Sequence, residues 1–293
     1  MALPAFLRLG LTGYPLHHSL SPQLHTAALQ AAGLEGAYQL YPVKPLPNGA
    51  ADLERLTAEL RAGTLHGLNI TIPHKQSILP LLDVCTERAT RIGAVNVVYC
   101  SEGRLVGDNS DAPAFLVDLK NFLGNLPGRR GYTPGRAVVL GAGGAARAVV
   151  YSLCRDGWAV TVAARCEAQA HALVGSLAVC QDAHTLRSTG MSAAALGKIG
   201  KVDLLVNATP VGMAPHTDAS PWPAELPLPQ DAAVYDLVYN PAETALAHSA
   251  RQAGRPVLTG LGMLVEQAAL AFETWTGITP DRSAMRRAAE NHR

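Results

Sequence analysis

The chain is poor in sulfur, and what it has shows no pattern. Its five cysteines (Cys85, Cys100, Cys154, Cys166 and Cys180) are odd in number and form no CxxC pair. That excludes a disulfide framework and fits free thiols in a reducing cytosol. Charged residues make up only 16% of the 293 positions and aromatic residues 5%, against 48% hydrophobic, the balance of a folded globular chain. No sign of charge dominates: twenty-four basic side chains face twenty-three acidic ones. A basic stripe for a nucleic-acid backbone is therefore missing. No apolar run approaches the ~18 residues needed to cross a bilayer. The opening "MALPAFLRLGLTGYP" lacks a basic start followed by a clean apolar stretch, so no secretory signal is expected and the location reads as cytoplasmic. The ten histidines include no HExxH, and His17 and His18 have no partner ligand at useful spacing. No metal is expected.

Lysine is scarce too, with five against nineteen arginines. One of the five follows a strand and a proline in "LNITIPHK" (68–75). With Pro73 in the first turn of a helix, its favoured place, Lys75 would sit near the helix start, where a cation opposes the dipole at about 0.3–1 kcal/mol. A solvated surface lysine is the plain alternative.

The length suits two domains of about 100–200 residues each. Strand-like and helix-like runs alternate: "RLGLTG" (8–13), "SPQLHTAALQAAG", "AYQLYPV" (37–43), "AADLERLTAELRAG" (50–63), "GLNITI" (67–72) and "GAVNVVY" (93–99), then a polar turn, "GDNSDAP" (107–113). Such alternation indicates a mainly parallel sheet covered by helices. "GNLPGRRGYTPGR" (124–136) reads as a linker. A second alternating set follows, from "AVVL" (137–140) through "WAVTVAAR" (158–165), "VDLLVNATP" (202–210), "AAVYDLVY" (232–239) and "RPVLTG" (255–260) to an apolar helix at 261–277 and a charged terminal helix. The proline-rich stretch 214–230 reads as a loop.

"AVVLGAGGAARAVVYSL" sets Gly141, Gly143 and Ala146 in G-x-G-x-x-A spacing between a strand and a helix. The first glycine permits the tight turn, the second lets a pyrophosphate approach, and the small third residue lets helix and strand pack closely. The backbone from Gly141 through Ala142, Gly143 and Gly144 to Ala145 would then face the anion at the helix start. An NAD enzyme usually carries Asp or Glu at the tip of the second strand. Here Ala164 and Arg165 stand there, with Glu167 two residues beyond. Arg165 would meet a 2′-phosphate, which favours NADP; Glu167 turned toward the ribose would favour NAD.

Polar clusters stand at the ends of apolar runs: "HHSLSP", "NITIPHK", "GAVNVV" and "GDNSDA". Each has an innocent reading. Ser21 before Pro22 makes a good N-cap, Asn96 would satisfy a neighbouring backbone, Asp111 would cap the next helix, and Gln267 would be a solvated helix residue. Their order, however, together with "GAGGAAR", "NATPVGM", "YNPAET" and "GLGMLVEQAA", spans nearly the whole length and strongly resembles the shikimate dehydrogenase family, including its quinate/shikimate members.

That resemblance implies an α/β enzyme in which residues 1–112 form a substrate-binding and catalytic domain with a mainly parallel sheet. Residues 113–259 would form an inserted Rossmann-like NADP-binding domain, and 260–293 helices returning to the first. It implies that Ser19 and Ser21 hold the substrate carboxylate with Tyr239 nearby, that Thr71, Asn96 and Gln267 bind ring hydroxyls, and that Lys75 and Asp111 form the catalytic pair. Gly260 and Met263 would lie beside the nicotinamide. The substrate would be shikimate or a close analogue, handled by a monomer or homodimer. Reducing a ketone needs a hydride and a proton for the developing alkoxide, and a charged lysine attracted to Asp111 by about 4 kcal/mol at ~4 Å and intermediate dielectric suits that role.

The sequence departs from the family's cofactor loop, having Ala164 and Cys166 around Arg165 and Gln169 where a later arginine is usual. Relaxed or NAD-linked activity is the alternative this leaves open, and quinate or an amino analogue is the alternative substrate. Ser110 and Ala112 stand where the common form has Thr and Gly. A Ser-x-Ser pair at 19 and 21 leans toward shikimate. A non-catalytic dinucleotide-binding regulator would have lost Lys75 or Asp111, and both are present. A dehydrogenase for a folate-type substrate leaves "HSLSP" and "GDNSD" unexplained.

Overall fold

The computed structural model describes residues 3–127, 132–178 and 185–292. Part of the linker, at 128–131, and Cys180 lie outside the described residues. The chain forms two compact α/β units, Met1–Asp111 with Val265–Arg293, and Ala112–Leu264. Residues 260–264, grouped in the sequence with the returning helices, pack with the second unit.

In the first unit six strands stand in the order β2-β1-β3-β5-β6-β4: β1 (Leu7–Gly13), β2 (Gly36–Pro42), β3 (Gly67–Ile70), β4 (Val84–Cys85), β5 (Val97–Ser101) and β6 (Arg104–Asp108). β1 runs parallel to β2 and β3, and β4 to β6, whereas β5 is antiparallel to both its neighbours. The β5–β6 hairpin turns through Glu102 and Gly103, both at positive φ, the twist that a two-residue hairpin favours. Leu53, Leu56 and Leu60, at helical spacing on α2 (Ala50–Arg61), bury one face in a cluster with Leu68, Ile70, Val98 and Leu105. Each such leucine contributes about 1.5–3 kcal/mol. The register pairs Asn69 of β3 with Leu11 of β1 on one side and Val97 of β5 on the other.

The second unit is a fully parallel sheet in the order β12-β11-β10-β7-β8-β9. Its strands are β7 (Arg136–Leu140), β8 (Ala159–Ala164), β9 (Leu186–Gly190), β10 (Leu204–Asn207), β11 (Ala233–Asp236) and β12 (Val257–Thr259). Parallel strands are covered on both faces and so read as apolar runs, which is why "AVVL" and "LLVN" are visible as strands. The chain order reverses between β7 and β10, and in such Rossmann-like sheets the crevice beyond the carboxyl ends at that point is the ligand site.

Three local expectations differ from the structure. No helix begins at Pro73: residues 72–78 form successive turns, and only Leu79–Leu81 make a short 3-10 turn. His74 N–H donates to Thr71 O and Ile78 N–H to His74 O, separate closures that a second proline at 80 stops from continuing. "GAVN" is not yet strand. Gly93, at φ 67, ends α3 (Glu87–Ile92), whose N-terminus Thr86 caps by accepting from Ala89 N–H. A left-handed glycine closes a helix at no Cβ cost. Ser21 is the first residue of α1 (Ser21–Ala31) rather than its cap, and its N–H donates to the Ser19 hydroxyl at 3.2 Å. The stretch 214–230 contains neither helix nor strand.

Candidate active site

In the first unit the segment Ala94–Asn96 joins the parts. Its backbone is fixed on every side: Asn109 Nδ2 donates to Ala94 O at 2.9 Å, Val95 N–H to Lys75 O at 2.8 Å, and Asn96 N–H to Asp108 O at 3.0 Å. The Asn96 side chain then reads the start of α4 (Asp111–Gly124). Its Oδ1 accepts from Ser110 N–H at 2.7 Å, and its Nδ2 lies 2.9 Å from both Ser110 Oγ and Asp111 Oδ1. The other carboxylate oxygen, Asp111 Oδ2, accepts from Lys75 Nζ at 2.5 Å. The two side chains of that pair are 15% and 5% exposed, so the ammonium keeps a route to solvent while the carboxylate does not. One of three N–H donors on Lys75 is thereby taken, leaving two for an incoming oxygen.

Gln267, on α9 (Leu261–Thr276), brings its Oε1 to 3.4 Å from Asn96 Nδ2, and its carbonyl accepts from Ser110 Oγ at 3.0 Å. Thr71 follows β3, with its N–H on Thr12 O at 2.9 Å. The loop bearing Ser19 is tied to the same strand end by Tyr14 N–H donating to Ile72 O at 2.9 Å. Thr71, Lys75, Asn96, Asp111, Gln267 and the two serines thus belong to one unit. Tyr239, Gly260 and Met263 belong to the other.

Sequence reasoning passed over Ser110 as a partner, and over Asn69, which is 4% exposed in β3. The available signal was a polar residue inside an apolar run. It also passed over Asn207 at the end of β10, whose Nδ2 donates to Asp236 Oδ1 at 2.8 Å, and over Thr244, whose hydroxyl donates to Asp236 Oδ2 at 2.6 Å. Burial raises the Asp236 carboxyl above its ordinary value, against the opposing pull of the Thr244, Val238 and Asn207 donors.

In the second unit Gly141, at φ 111, makes the turn after β7, and a Cβ there would meet Ala208 O at 3.0 Å. Gly143 is different: it has ordinary extended dihedrals (φ −81, ψ −172), and a Cβ built on it meets nothing within 4 Å. Open space lies beside the first turn of α5 (Gly144–Arg155), which has no side-chain cap and no acidic residue at its start. The N–H groups of a first helical turn have no partner within the helix, and beside such space they fit the pyrophosphate of a dinucleotide. Arg165 is exposed directly after β8. The Glu167 carboxylate is turned toward Gly190 at the end of β9, 3.7 Å from where a Cβ would stand.

These two glycines separate cleanly by experiment. Gly143→Ala should leave the thermal midpoint unchanged and raise the KM for the dinucleotide by about tenfold or more, because the added methyl occupies phosphate space. Gly141→Ala should lose about 1–3 kcal/mol of stability from left-handed strain. Equal effects of the two on the midpoint would contradict this division.

Gly260 is tight for a packing reason, since a Cβ there would lie 2.0 Å from Leu237 O. Met263 is 7% exposed on α9. Among the described residues no group of three or more His, Cys, Asp or Glu is placed to hold a metal ion, and no helix is long and apolar enough to cross a membrane.

Residues 11–98 match the family model described as shikimate dehydrogenase substrate binding domain, and residues 260–290 that described as shikimate 5'-dehydrogenase C-terminal domain. The chain is 43% identical, over 97% of each sequence, to a "Shikimate dehydrogenase (NADP(+))" of Thermus thermophilus. It is similar to the crystal structure of shikimate 5-dehydrogenase from Thermus thermophilus in complex with NADP(H) and shikimate: 41% identity, TM-score 0.80, covering 98% of this chain and 100% of that one. Quinate dehydrogenase from Corynebacterium glutamicum in complex with NAD matches at 35% identity and TM-score 0.83, covering 97% and 99%.

Proposed function

The chain belongs to the shikimate dehydrogenase family, and from that premise we infer that it catalyses the reversible, NADP-linked interconversion of shikimate and 3-dehydroshikimate. It is an oxidoreductase acting on a CH–OH group. The observation that carries the reading is the Lys75–Asp111 contact of 2.5 Å, a proton donor held by a buried carboxylate where a substrate oxygen can still reach it. NADP held there would supply the hydride acceptor for oxidation, and its reduced form the hydride donor for reduction. In the reducing direction Lys75 hydrogen-bonds to the ketone oxygen, polarises it, and gives up a proton as negative charge develops there. In the oxidising direction the Lys75 amine takes the hydroxyl proton, and Asp111 holds the resulting ammonium in place.

Ser19 and Ser21 would bind the substrate carboxylate with Tyr239, and Thr71, Asn96 and Gln267 the ring hydroxyls. Residues Gly141 to Ala145 would hold the pyrophosphate, Arg165 the 2′-phosphate, and Gly260 with Met263 would flank the nicotinamide. The enzyme works on a small molecule, as a monomer or homodimer in the cytoplasm, without nucleic acid.

Initial rates with shikimate and quinate, each with NADP and NAD, test this. The expected result is a strong preference for shikimate with NADP. Arg165→Ala should raise the KM for NADP by about ten- to a hundredfold, the worth of one hydrogen bond to a charged group at ~1.5–3 kcal/mol, and leave that for NAD unchanged. A native preference for quinate or NAD would move the chain to another branch of the family while keeping the Lys75–Asp111 chemistry.

A further inference from the structure

Asn69 does not touch the Lys75–Asp111 pair, yet it is bonded to the residue that holds it. Its Nδ2 donates to Asn96 O at 3.0 Å, beside the Ile70 N–H that donates to the same carbonyl at 3.0 Å. Its Oδ1 accepts from the Tyr38 hydroxyl at 2.7 Å. Tyr38 is itself fixed: it is 7% exposed, and its ring stacks on His25 with centroids 4.2 Å apart and planes 3° from parallel. Asn69 and Asn96 are 4% and 2% exposed, so water does not substitute for either bond.

We propose that Asn69 is a positioning residue for the catalytic pair, acting through the Asn96 backbone, and that the Tyr38 hydroxyl sets which way the Asn69 amide faces. An amide can point its oxygen or its nitrogen at a carbonyl, and only the nitrogen bonds. The tyrosine donor occupies the oxygen and leaves the nitrogen for Asn96 O. With its carbonyl held by Ile70 and Asn69 and its N–H by Asp108 O, the peptide groups on both sides of Asn96 have little freedom to rotate. Its side chain then delivers Nδ2 to Asp111 Oδ1, which turns Oδ2 toward Lys75. The relay runs from a buried aromatic pair at the β1–β2 side of the sheet to the proton donor. It rests on the reading of Lys75 and Asp111 as the catalytic pair.

The test is a set of four variants assayed for kcat, shikimate KM and thermal midpoint. Asn69→Leu keeps the branched shape and removes both bonds. Because misplacement of about 1 Å can cost a hundredfold, a partly released pair should lose about tenfold in kcat while KM stays within about twofold. Tyr38→Phe keeps the stack and frees the amide, and should lower kcat less. In the double variant both polar partners are gone, an exchange that can be nearly neutral for folding. Its midpoint should recover toward native while its kcat stays low, which a purely structural role would not produce. Native kcat in Asn69→Leu, or kcat recovering together with the midpoint in the double variant, overturns the proposal. Should Asn69→Leu not fold, Tyr38→Phe decides: lowered kcat at unchanged KM supports the relay, and native kcat overturns it. Lys75→Met is the fourth variant. If it keeps its turnover, the catalytic reading itself fails; if it alone loses turnover, only the relay does.

Discussion

Lys75→Met is expected to lower kcat for shikimate oxidation by about 10²–10⁴-fold, the usual contribution of a positioned acid–base group, with shikimate KM changed by less than about threefold. Methionine retains most of the length and of the apolar stem, so the packing around the side chain is largely kept and the change isolates the ammonium. An interaction made chiefly in the transition state reads out in kcat, whereas a uniform binding contact reads out in KM. The loss should appear in both directions, since the proton has the same path in each. Asp111, 4% exposed, would retain Asn96 Nδ2 but lose its cation, so the variant should also be less stable. The thermal midpoint must be measured beside the kinetics to separate the two effects. A variant that keeps more than about a tenth of native turnover would fall outside the general-acid range and remove Lys75 from the mechanism.

The second large effect is on acid stability and comes from His25. The ring is completely buried, and among the described residues neither nitrogen meets a partner at full hydrogen-bond geometry, the Asn69 amide being only nearby. Burial pushes its pKa from 6.5 down to about 3, opposed only in part by the nearby Asn69 amide. Above pH 6.5 the ring is neutral folded or unfolded, and the shift costs nothing. Between pH 6.5 and about 3 the unfolded chain binds a proton that the folded chain refuses. Stability is therefore fully present above 6.5 and falls as pH drops through that window, by about 1.4 kcal/mol per pH unit. From pH 7 to pH 4.5 this one residue should cost about 3 kcal/mol. His25→Phe keeps a ring against Tyr38 and Trp275 and carries no proton. Urea midpoints of the two proteins at pH 7, 5.5 and 4.5 should diverge steadily toward acid, with the variant the more stable. Parallel curves would mean that the native fold admits the proton or opens around the ring.

The strands were legible where burial on both faces makes composition itself informative. "AVVL", "VTVAA" and "LLVN" read as strands because a parallel sheet leaves no polar side. α2 was legible from leucines three and four apart, and the glycine turn from its position between β7 and α5. Lys75 and Asp111 stood out through the order of the motifs around them, not through any local pattern. Pro73 misled because a proline before an apolar run can open a helix or a turn, and the choice depends on what the neighbouring carbonyls bind. Gly93 misled in the same way, as a helix terminator that sits beside a strand.

The sequence by itself determined the α/β class, the strand–turn–helix at 136–155, and the absence of the charge excess or long apolar run that would mark a nucleic-acid or membrane-spanning protein. All of these follow from composition and from contacts within about a dozen residues. Only the tertiary structure decided that β5 enters the first sheet antiparallel, that Asn96 faces Ser110 and Asp111, and that Tyr38, Asn69 and Asn96 form a line behind them. Those partners are separated by 14 to 31 residues. Which side chains meet at such distances is set by strand order and register, and a shift of one residue in register would turn the strand residues Tyr38 and Asn69 to the opposite face.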